Sequence, residues 1–393
     1  MEHIKALVCV NCGHKHEVDI IYECKLCGHS LDVEYDYEMI FSEEKKLFKD
    51  EWPGIWKYRK LLPVTGTTAP VSLGEGRTPF LEGETLAEKL GVSTVFLKNE
   101  AGNPTLSFKD RPLSVALTLA KERGIDKVVT ASTGNTGVAA AAYAARAGIM
   151  CEICVPETTP QEKLTMMEVF GAEIKAVEGT FSDAYDIAKR VALEQGWLNL
   201  TSTFLNPYAI EGDKTLAYEI YEQYGEVPDH IIIPIGAGPL LVGCYKGFQE
   251  LKKAGMIENL PKMVGVQAEA CAPIAKAFEQ GEEKVGPWKV KEKTVAGGIA
   301  DPLTSYPDDG TRTLETIRES GGVAIAVSDD EIMRGLSLLA ESEGIFVEPS
   351  SSTAIAALRK MVDGGGMDSD ESVVCVCTGH GLKDASALKQ GRK

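Results

Sequence analysis

A chain of 393 residues with 44% hydrophobic and 25% charged side chains has the composition of a globular protein, long enough for two domains and a small appendage, with nothing that suggests disorder. Lys and Arg number 41 against 58 Asp and Glu, a formal charge of −17, which repels phosphate backbones and anionic lipid surfaces alike. Nucleic acid and membrane are therefore excluded as partners. The opening MEHIKALVCV lacks the basic region and apolar run of a signal peptide, and no run approaches the ~18 apolar residues of a membrane span, so the expected location is cytoplasmic. Ten cysteines in such a compartment stay reduced, and their spacing is read for metal or packing before disulfides.

In chain order, Cys9 and Cys12 in CVNCG and Cys24 and Cys27 in CKLCGH form two Cys-x2-Cys hairpins, each with a glycine after its second cysteine. Four thiolates at this spacing suit tetrahedral Zn²⁺, and the glycines permit the positive dihedral that turns backbone amides toward sulfur. A persulfide or a relic that has lost its metal is the alternative. With four protein ligands such an ion is structural, and His14, His16 and His29 are expected to face solvent. Residues 1–40 carry three lysines against eight acidic side chains, which argues against a nucleic-acid-binding ribbon. From Asp32 to Pro63 the text is acidic and aromatic, a linker and an arm whose tryptophans and tyrosines pack on something larger and offer a possible oligomer contact. GEGRTPF follows at Gly74–Phe80, then a short helix at Leu86–Leu90 and a strand at Thr94–Leu97.

Asn103-Pro104 marks a turn, after which Leu113, Ala116, Leu117 and Ala120 recur at helical spacing until Gly124 stops the helix. Lys109, in NPTLSFKDRP, thus stands where an extended turn becomes a helix. The helix dipole and a buried edge there both disfavour the charged amine, and a neutral amine attacks an aldehyde. By itself such a lysine is more often a surface residue with a buried stem.

From Ile125 onward strands and helices alternate: VVTAS, a helix from Thr136 to Ala147, IMCEICVP, a helix from Gln161 to Phe170, EIKAV, and a helix from Ser182 to Gln195. Such alternation predicts parallel strands with crossover helices. Cys151 and Cys154 lie inside an apolar strand and read as core. HIIIPIG, MVGVQAEA, VAIAVS and VVCVCTG form a second series, hence a second domain. The last few residues are expected to fray. STGNTG, Ser132–Gly137, taken alone is a capped strand-to-helix turn. In IIIPIGAGPLLVG an apolar strand leads through Gly236, Ala237 and Gly238 into a helix opening with Pro239 and Leu240, so free amides and a helix dipole converge on one point suited to phosphate. A dinucleotide fingerprint needs a third glycine where Leu241 stands. Thr378 ends the strand VVCVCTG, and strand ends of open α/β sheets line ligand crevices.

SFKDR, STGNTG, NPYAIEGDKT at Asn206–Thr215, GIFVEPSSS at Gly344–Ser352 and TGHGLKD at Thr378–Asp384 occur in an order that resembles the threonine synthase branch of the β-family (fold-type II) pyridoxal-phosphate enzymes, over roughly residues 60–385. The resemblance implies an α/β fold of two open, twisted, mostly parallel sheets with flanking helices, similar to the tryptophan synthase β chain, plus the N-terminal zinc ribbon. The implied domains are 1–40 for the ribbon, 41–112 with 210–393 for the larger cofactor domain, and 113–209 for a smaller inserted one, with a homodimer as the assembly. It further implies that Lys109 holds pyridoxal 5′-phosphate, that Phe108 lies against its ring, that Asn135 donates to the ring oxygen, and that Thr378 meets the ring nitrogen. The turn from Gly236 through Ala237, Gly238 and Pro239 to Leu240 would hold the phosphate. Ser132, Thr133 and Thr136 would hold a substrate carboxylate.

A hydroxyl at the ring nitrogen makes a moderate electron sink, suited to elimination and replacement at the β or γ carbon with Lys109 as general base. The implied activity is a lyase that converts O-phosphohomoserine to threonine, with β-elimination or β-replacement on serine-like substrates as the alternative and a non-catalytic binding protein as the rival class. The chain departs from that branch at Pro112 and Leu106, where glycine is usual, at Ala209 and Asp213 in place of arginine and glutamine, at GAGP, and in TVAGGIADP, which lacks an arginine.

Overall fold

The strands His230–Pro234 and Ser372–Cys377 are buried along nearly their whole length, which is why they read as apolar runs and not as alternations. This computed structural model describes residues 3–42, 48, 52–65, 68–201, 203–290 and 292–384. The expectation of a frayed C-terminus lies outside these residues, as does part of the linker before the arm. Contacts divide the chain into one unit of Met1–Arg77 with Lys109–Thr215 and a second of Thr78–Phe108 with Leu216–Lys393. Residues 41–77, assigned from sequence to the larger domain, group with the ribbon and the inserted segment instead.

The second unit holds a six-stranded sheet in the spatial order Val323–Val327, Lys262–Ala268, His230–Pro234, Ser372–Cys377, Thr94–Asn99, Phe80–Glu82. All neighbours are parallel except the short Phe80–Glu82 edge. Register sets Ile232 beside both Val264 and Cys375, and Cys375 beside Leu97. These four residues lie in one core with Leu339, Ile355 and Leu358. Each such buried side chain stabilises the unit by roughly 1.5–3 kcal/mol relative to exposure.

The first unit contains a fully parallel four-stranded sheet ordered Glu173–Val177, Met150–Pro156, Lys127–Ala131, Leu198–Asn199. The expected helices appear at Asp110–Glu122, Asn135–Ala147, Gln161–Glu168 and Phe181–Gln195. The last begins with a capping box between Thr180 and Asp183. Cys151 and Cys154 are buried in their strand, and burial pushes both thiols up to about 12.

The N-terminal residues form a small antiparallel sheet in which Ile4–Cys9 lies between Lys15–His16 and Leu31–Tyr35. This ribbon is tied to the parallel sheet of its own unit. The Tyr22 hydroxyl donates to the Trp197 carbonyl at 3.1 Å and accepts from the Asn199 amide at 2.9 Å, while the Tyr208 hydroxyl donates to the Asp19 carbonyl at 2.7 Å.

The aromatic arm becomes a 3-10 helix, Gly54–Leu61, that buries Ile55 and Trp56 against Val64 and Val115 and buries Tyr58 as well. Trp56 and Tyr58 thus pack inside their own unit, as expected of an arm that packs on something larger.

Candidate active site

Three neighbouring strands of the second unit deliver three of the expected pieces at their carboxyl ends. His230–Pro234 runs into the Gly236–Gly238 turn, Ser372–Cys377 ends at Thr378, and Thr94–Asn99 leads into the loop that reaches Phe108. Strands about 4.8 Å apart place these features side by side, where crevices of open α/β sheets lie.

The glycine turn is shaped by groups far away in sequence. Gln267 Nε2 donates to the Gly236 carbonyl at 3.1 Å, while its Oε1 accepts from the Ile274 and Ala275 amides. Thr313 Oγ1 donates to the Ala237 carbonyl at 2.5 Å. Pinning both carbonyls orients the peptide planes and hence the amides on their other side. Gly238 has φ +100°, and a Cβ there would stand 2.4 Å from Thr313, so only glycine fits at the start of the helix Pro239–Lys253. Asp301 sits beside Gly236, with its carboxylate accepting from the Leu303 amide and the Tyr306 hydroxyl.

The loop before Lys109 is bound to TGHGLKD. The Phe108 amide donates to the Thr378 carbonyl at 3.0 Å, Ser107 bridges Gly379, and Lys383 Nζ donates to the Thr105 carbonyl at 2.6 Å. GIFVEPSSS joins them, because the Glu348 amide donates to the Gly379 carbonyl and a Cβ on Gly379 would meet Glu348 Oε1 at 2.6 Å. Three sequence motifs thus meet in one unit. Asn103 and Thr78 both bind the buried Glu100 carboxylate, which fixes the base of the loop.

Lys109 itself caps the helix Asp110–Glu122, with Leu113 donating to its carbonyl. The boundary between the units falls at the Phe108–Lys109 bond. In the first unit STGNTG follows the carboxyl end of Lys127–Ala131 and opens the helix Asn135–Ala147. Ser132 Oγ accepts from the Gly134 and Gly137 amides at 3.2 and 2.9 Å, so its oxygen shapes the loop and leaves its proton to donate. Thr136 is buried and Thr133 half-buried. Met167 packs under Gly137, with its Cε 2.7 Å from where a Cβ would sit. NPYAIEGDKT forms the helix Pro207–Asp213, capped by Asn206 and packed so closely on the Lys109 helix that a Cβ on Gly212 would lie 2.4 Å from the Arg111 carbonyl.

In the ribbon the sulfurs of Cys9, Cys12, Cys24 and Cys27 all lie within 4.8 Å of one another. The Cys9–Cys27, Cys12–Cys24 and Cys12–Cys27 separations are 3.4, 3.7 and 3.5 Å. A tetrahedron with ~2.3 Å metal–sulfur bonds has edges of about 3.8 Å, so the donor set fits one ion. Gly13 and Gly28 take φ +69° and +74°. The backbone amide of His29 lowers the Cys27 thiol to about 6 against the opposing effect of burial. Burial works to raise Cys24, but a bond from His16 and nearby amides bring it to about 7. Cys9, desolvated, is pushed up to about 12. His16 Nε2 stands 3.3 Å from Cys24 Sγ and is half-buried, as is His29; of the three histidines only His14 faces solvent as expected.

Over residues 71–379 the sequence matches the family described as pyridoxal-phosphate dependent enzyme. The chain belongs to that family. It is 43% identical over 384 residues to the threonine synthase of Methanocaldococcus jannaschii, covering 96% of this chain and 93% of that one. It is 40% identical over 341 residues to the threonine synthase of Mycobacterium leprae, covering 86% and 91%. Among solved structures it resembles serine racemase from Dictyostelium discoideum at 26% identity and TM-score 0.64, over 77% of this chain and 92% of that one. An L-serine ammonia-lyase from Rhizomucor miehei shares the fold at 23% identity and TM-score 0.68, over 80% and 97%.

The protein is a pyridoxal-phosphate-dependent lyase with a tryptophan synthase β-like fold. The residues present fit that cofactor. A turn with both carbonyls pinned and no side chains at Gly236 and Gly238 suits a phosphate, and Ser107 Oγ, fully buried beside Phe108, has no hydrogen-bond partner among the described residues. Sequence reasoning missed Gln267, Thr313 and Glu348. Gln267 left a signal as a polar residue in an apolar strand, and Glu348 lay inside the motif GIFVEPSSS without a role of its own.

Proposed function

We propose that the protein is a threonine synthase, converting O-phosphohomoserine and water to threonine and phosphate. The observation that carries this reading is identity of 40–43% to threonine synthases over 86–99% of the chain. In this reading Lys109 Nζ holds the cofactor aldehyde and moves protons at the substrate carbons. Phe108, Asn135 and Thr378 meet the ring, and the turn from Gly236 through Ala237, Gly238 and Pro239 to Leu240 binds the phosphate. Ser132, Thr133 and Thr136 orient the substrate carboxylate. Bound pyridoxal phosphate supplies the electron sink that makes the carbon next to the amine acidic. The four cysteines hold one structural Zn²⁺, closed to substrate.

A second reading, β-elimination or β-replacement on serine, threonine or phosphoserine, is favoured by the cations of the first unit. A dianionic substrate phosphate asks for positive donors. Ala209 packs against the apolar core where the relatives' pattern has arginine. Lys214 is buried, paired with Glu211 at 2.6 Å and lying 4.0 Å from the Tyr35 ring centroid, and Arg111 is buried with its Nη1 on Thr215. Lys163, half-buried on the helix Gln161–Glu168, is the third candidate. Steady-state assays with O-phosphohomoserine, phosphoserine, serine and threonine decide. Threonine and phosphate released in equal amounts from the first uphold the proposal. No turnover of it, alongside turnover of another, replaces the proposal with the second reading.

A further inference from the structure

GEGRTPF contains a carboxylate to which the reading above gives no role. Glu75 is fully buried, yet five donors of the first unit converge on it. Its Oε1 accepts from Trp56 Nε1 at 2.8 Å and Ser114 Oγ at 2.5 Å. Its Oε2 accepts from the Ser72 hydroxyl at 3.1 Å, the Leu73 amide at 3.0 Å and the Tyr143 hydroxyl at 2.8 Å. The main chain is locked as well. The Glu75 carbonyl accepts from the Ile55 amide, and a Cβ on Gly54, at φ +63°, would lie 2.0 Å from that carbonyl oxygen.

These donors belong to the pieces that hold the proposed chemistry. Ser114 lies in the helix that Lys109 caps, one turn beyond Asp110, and Tyr143 lies in the helix that STGNTG opens. Asp110, the residue after Lys109, is buried too and acts on the same Tyr143 hydroxyl, which burial first and then the Glu75 and Asp110 charges push far above the ordinary range. The hydroxyl stays protonated as a donor. One buried carboxylate therefore binds both the second turn of the helix that Lys109 caps and the helix that opens at Asn135, and a five-donor shell holds it in one geometry.

We propose that Glu75 is a positioning residue that sets where Lys109 and the STGNTG loop stand, acting through Ser114 and Tyr143. It rests on the reading of Lys109 as the cofactor lysine. A carboxamide in its place keeps one accepting oxygen and turns an NH2 to the other side, so Glu75→Gln takes the acceptor either from Trp56 and Ser114 or from Ser72, Leu73 and Tyr143. Tyr143→Phe removes one link and leaves the carboxylate.

The test uses the holoenzyme. Purified wild type, Glu75→Gln, Glu75→Asp and Tyr143→Phe are compared by pH titration of the cofactor's visible absorption and circular dichroism, by kcat and KM, and by mapping the borohydride-trapped pyridoxyl group. Expected for Glu75→Gln and Tyr143→Phe are a shifted titration midpoint and a kcat lower by on the order of tenfold at nearly unchanged KM, with the pyridoxyl group still on Lys109. Glu75→Asp is expected to recover part of the loss. Folded variants whose titration and kcat equal those of wild type overturn the role of Glu75 while leaving Lys109 intact. A wild-type pyridoxyl group on another lysine overturns the Lys109 reading, and the proposal with it. If Glu75→Gln does not fold, Tyr143→Phe alone decides, since losing one hydroxyl leaves the packing in place.

Discussion

Leu106 stands where the resemblance implies glycine, and its backbone shows what that exchange strains. The structure gives Leu106 φ +64°, the left-handed region. Two hydrogen bonds hold it there: its amide donates to the Asn103 carbonyl at 2.8 Å, and its carbonyl accepts from the His380 amide at 3.0 Å. The left-handed conformation costs an L-residue about 1–2 kcal/mol. Leu106→Gly is therefore expected to raise stability, by about 1 kcal/mol less the greater freedom of glycine in the unfolded chain, and Leu106→Val to lower it. Urea midpoints measure both, and a destabilised Leu106→Gly counts against strain at this site. Pro112 is the opposite case. It is the third residue of its helix, where an amide has no intrahelical acceptor, so replacing glycine there forfeits no bond. At this scale the placement of Lys109 at a helix start and of Thr378 at a strand end was legible. Gln267, Thr313 and Glu348 act through carbonyls and close contacts distant in sequence, and periodicity says nothing about those.

Strand starts are held by ions as well as by the ladder. Glu371 precedes Ser372–Cys377 and accepts from Lys262 Nζ at 2.8 Å at the start of the strand Lys262–Ala268, with His230 Nε2, at the start of His230–Pro234, 3.1 Å from its other oxygen. Lys262 first, then the Asp368 amide and His230, outweigh burial and bring its carboxyl down to about 2. A carboxyl whose folded pKa is depressed contributes stability that is fully present above its unfolded value, near 4.5, and is lost as pH falls toward 2. Lys262 is nearly half exposed, so screening reduces the effect to about 1 kcal/mol. Glu371→Gln should cost that much at pH 7, less at high salt, and progressively less between pH 5 and pH 3. A deficit independent of pH would assign the loss to packing. The five parallel strands of this sheet were readable from apolar runs flanked by helices. The edge Phe80–Glu82, three residues with no period to detect, and the 3-10 arm Gly54–Leu61, which burial of aromatics and not propensity makes regular, were not.

Across the whole molecule, the alternation of strands and helices told that there are two sheets, but not how segments far apart in sequence group. The ribbon illustrates why. Its cysteine spacing predicted a closed metal site, whereas its attachment rests on contacts without a sequence signature: the hydroxyls of Tyr22 on Trp197 and Asn199 and of Tyr208 on Asp19, the Lys189–Glu23 pair, and Ile20 against the core. Through those contacts the proposed Zn²⁺ would contribute to the stability of the first unit, since unligated hairpins of this length have little core of their own. With the proposed Zn²⁺ bound, four protein ligands leave no position for water, so its removal should act on stability and not on the chemical step. Metal analysis of protein prepared without chelators should find one zinc per chain. Stripping it, or Cys24→Ser, should lower the thermal midpoint by several degrees and shift the emission of Trp197, while kcat at 25 °C, measured before unfolding, stays within about twofold. Tyr22→Phe should keep the zinc and yet show part of the same loss, by about 1 kcal/mol for one hydroxyl and the amide it leaves unpaired. Zinc-free protein with an unchanged midpoint would make the ribbon an independent appendage, and a collapse of kcat in folded, stripped protein would place the metal in the chemistry.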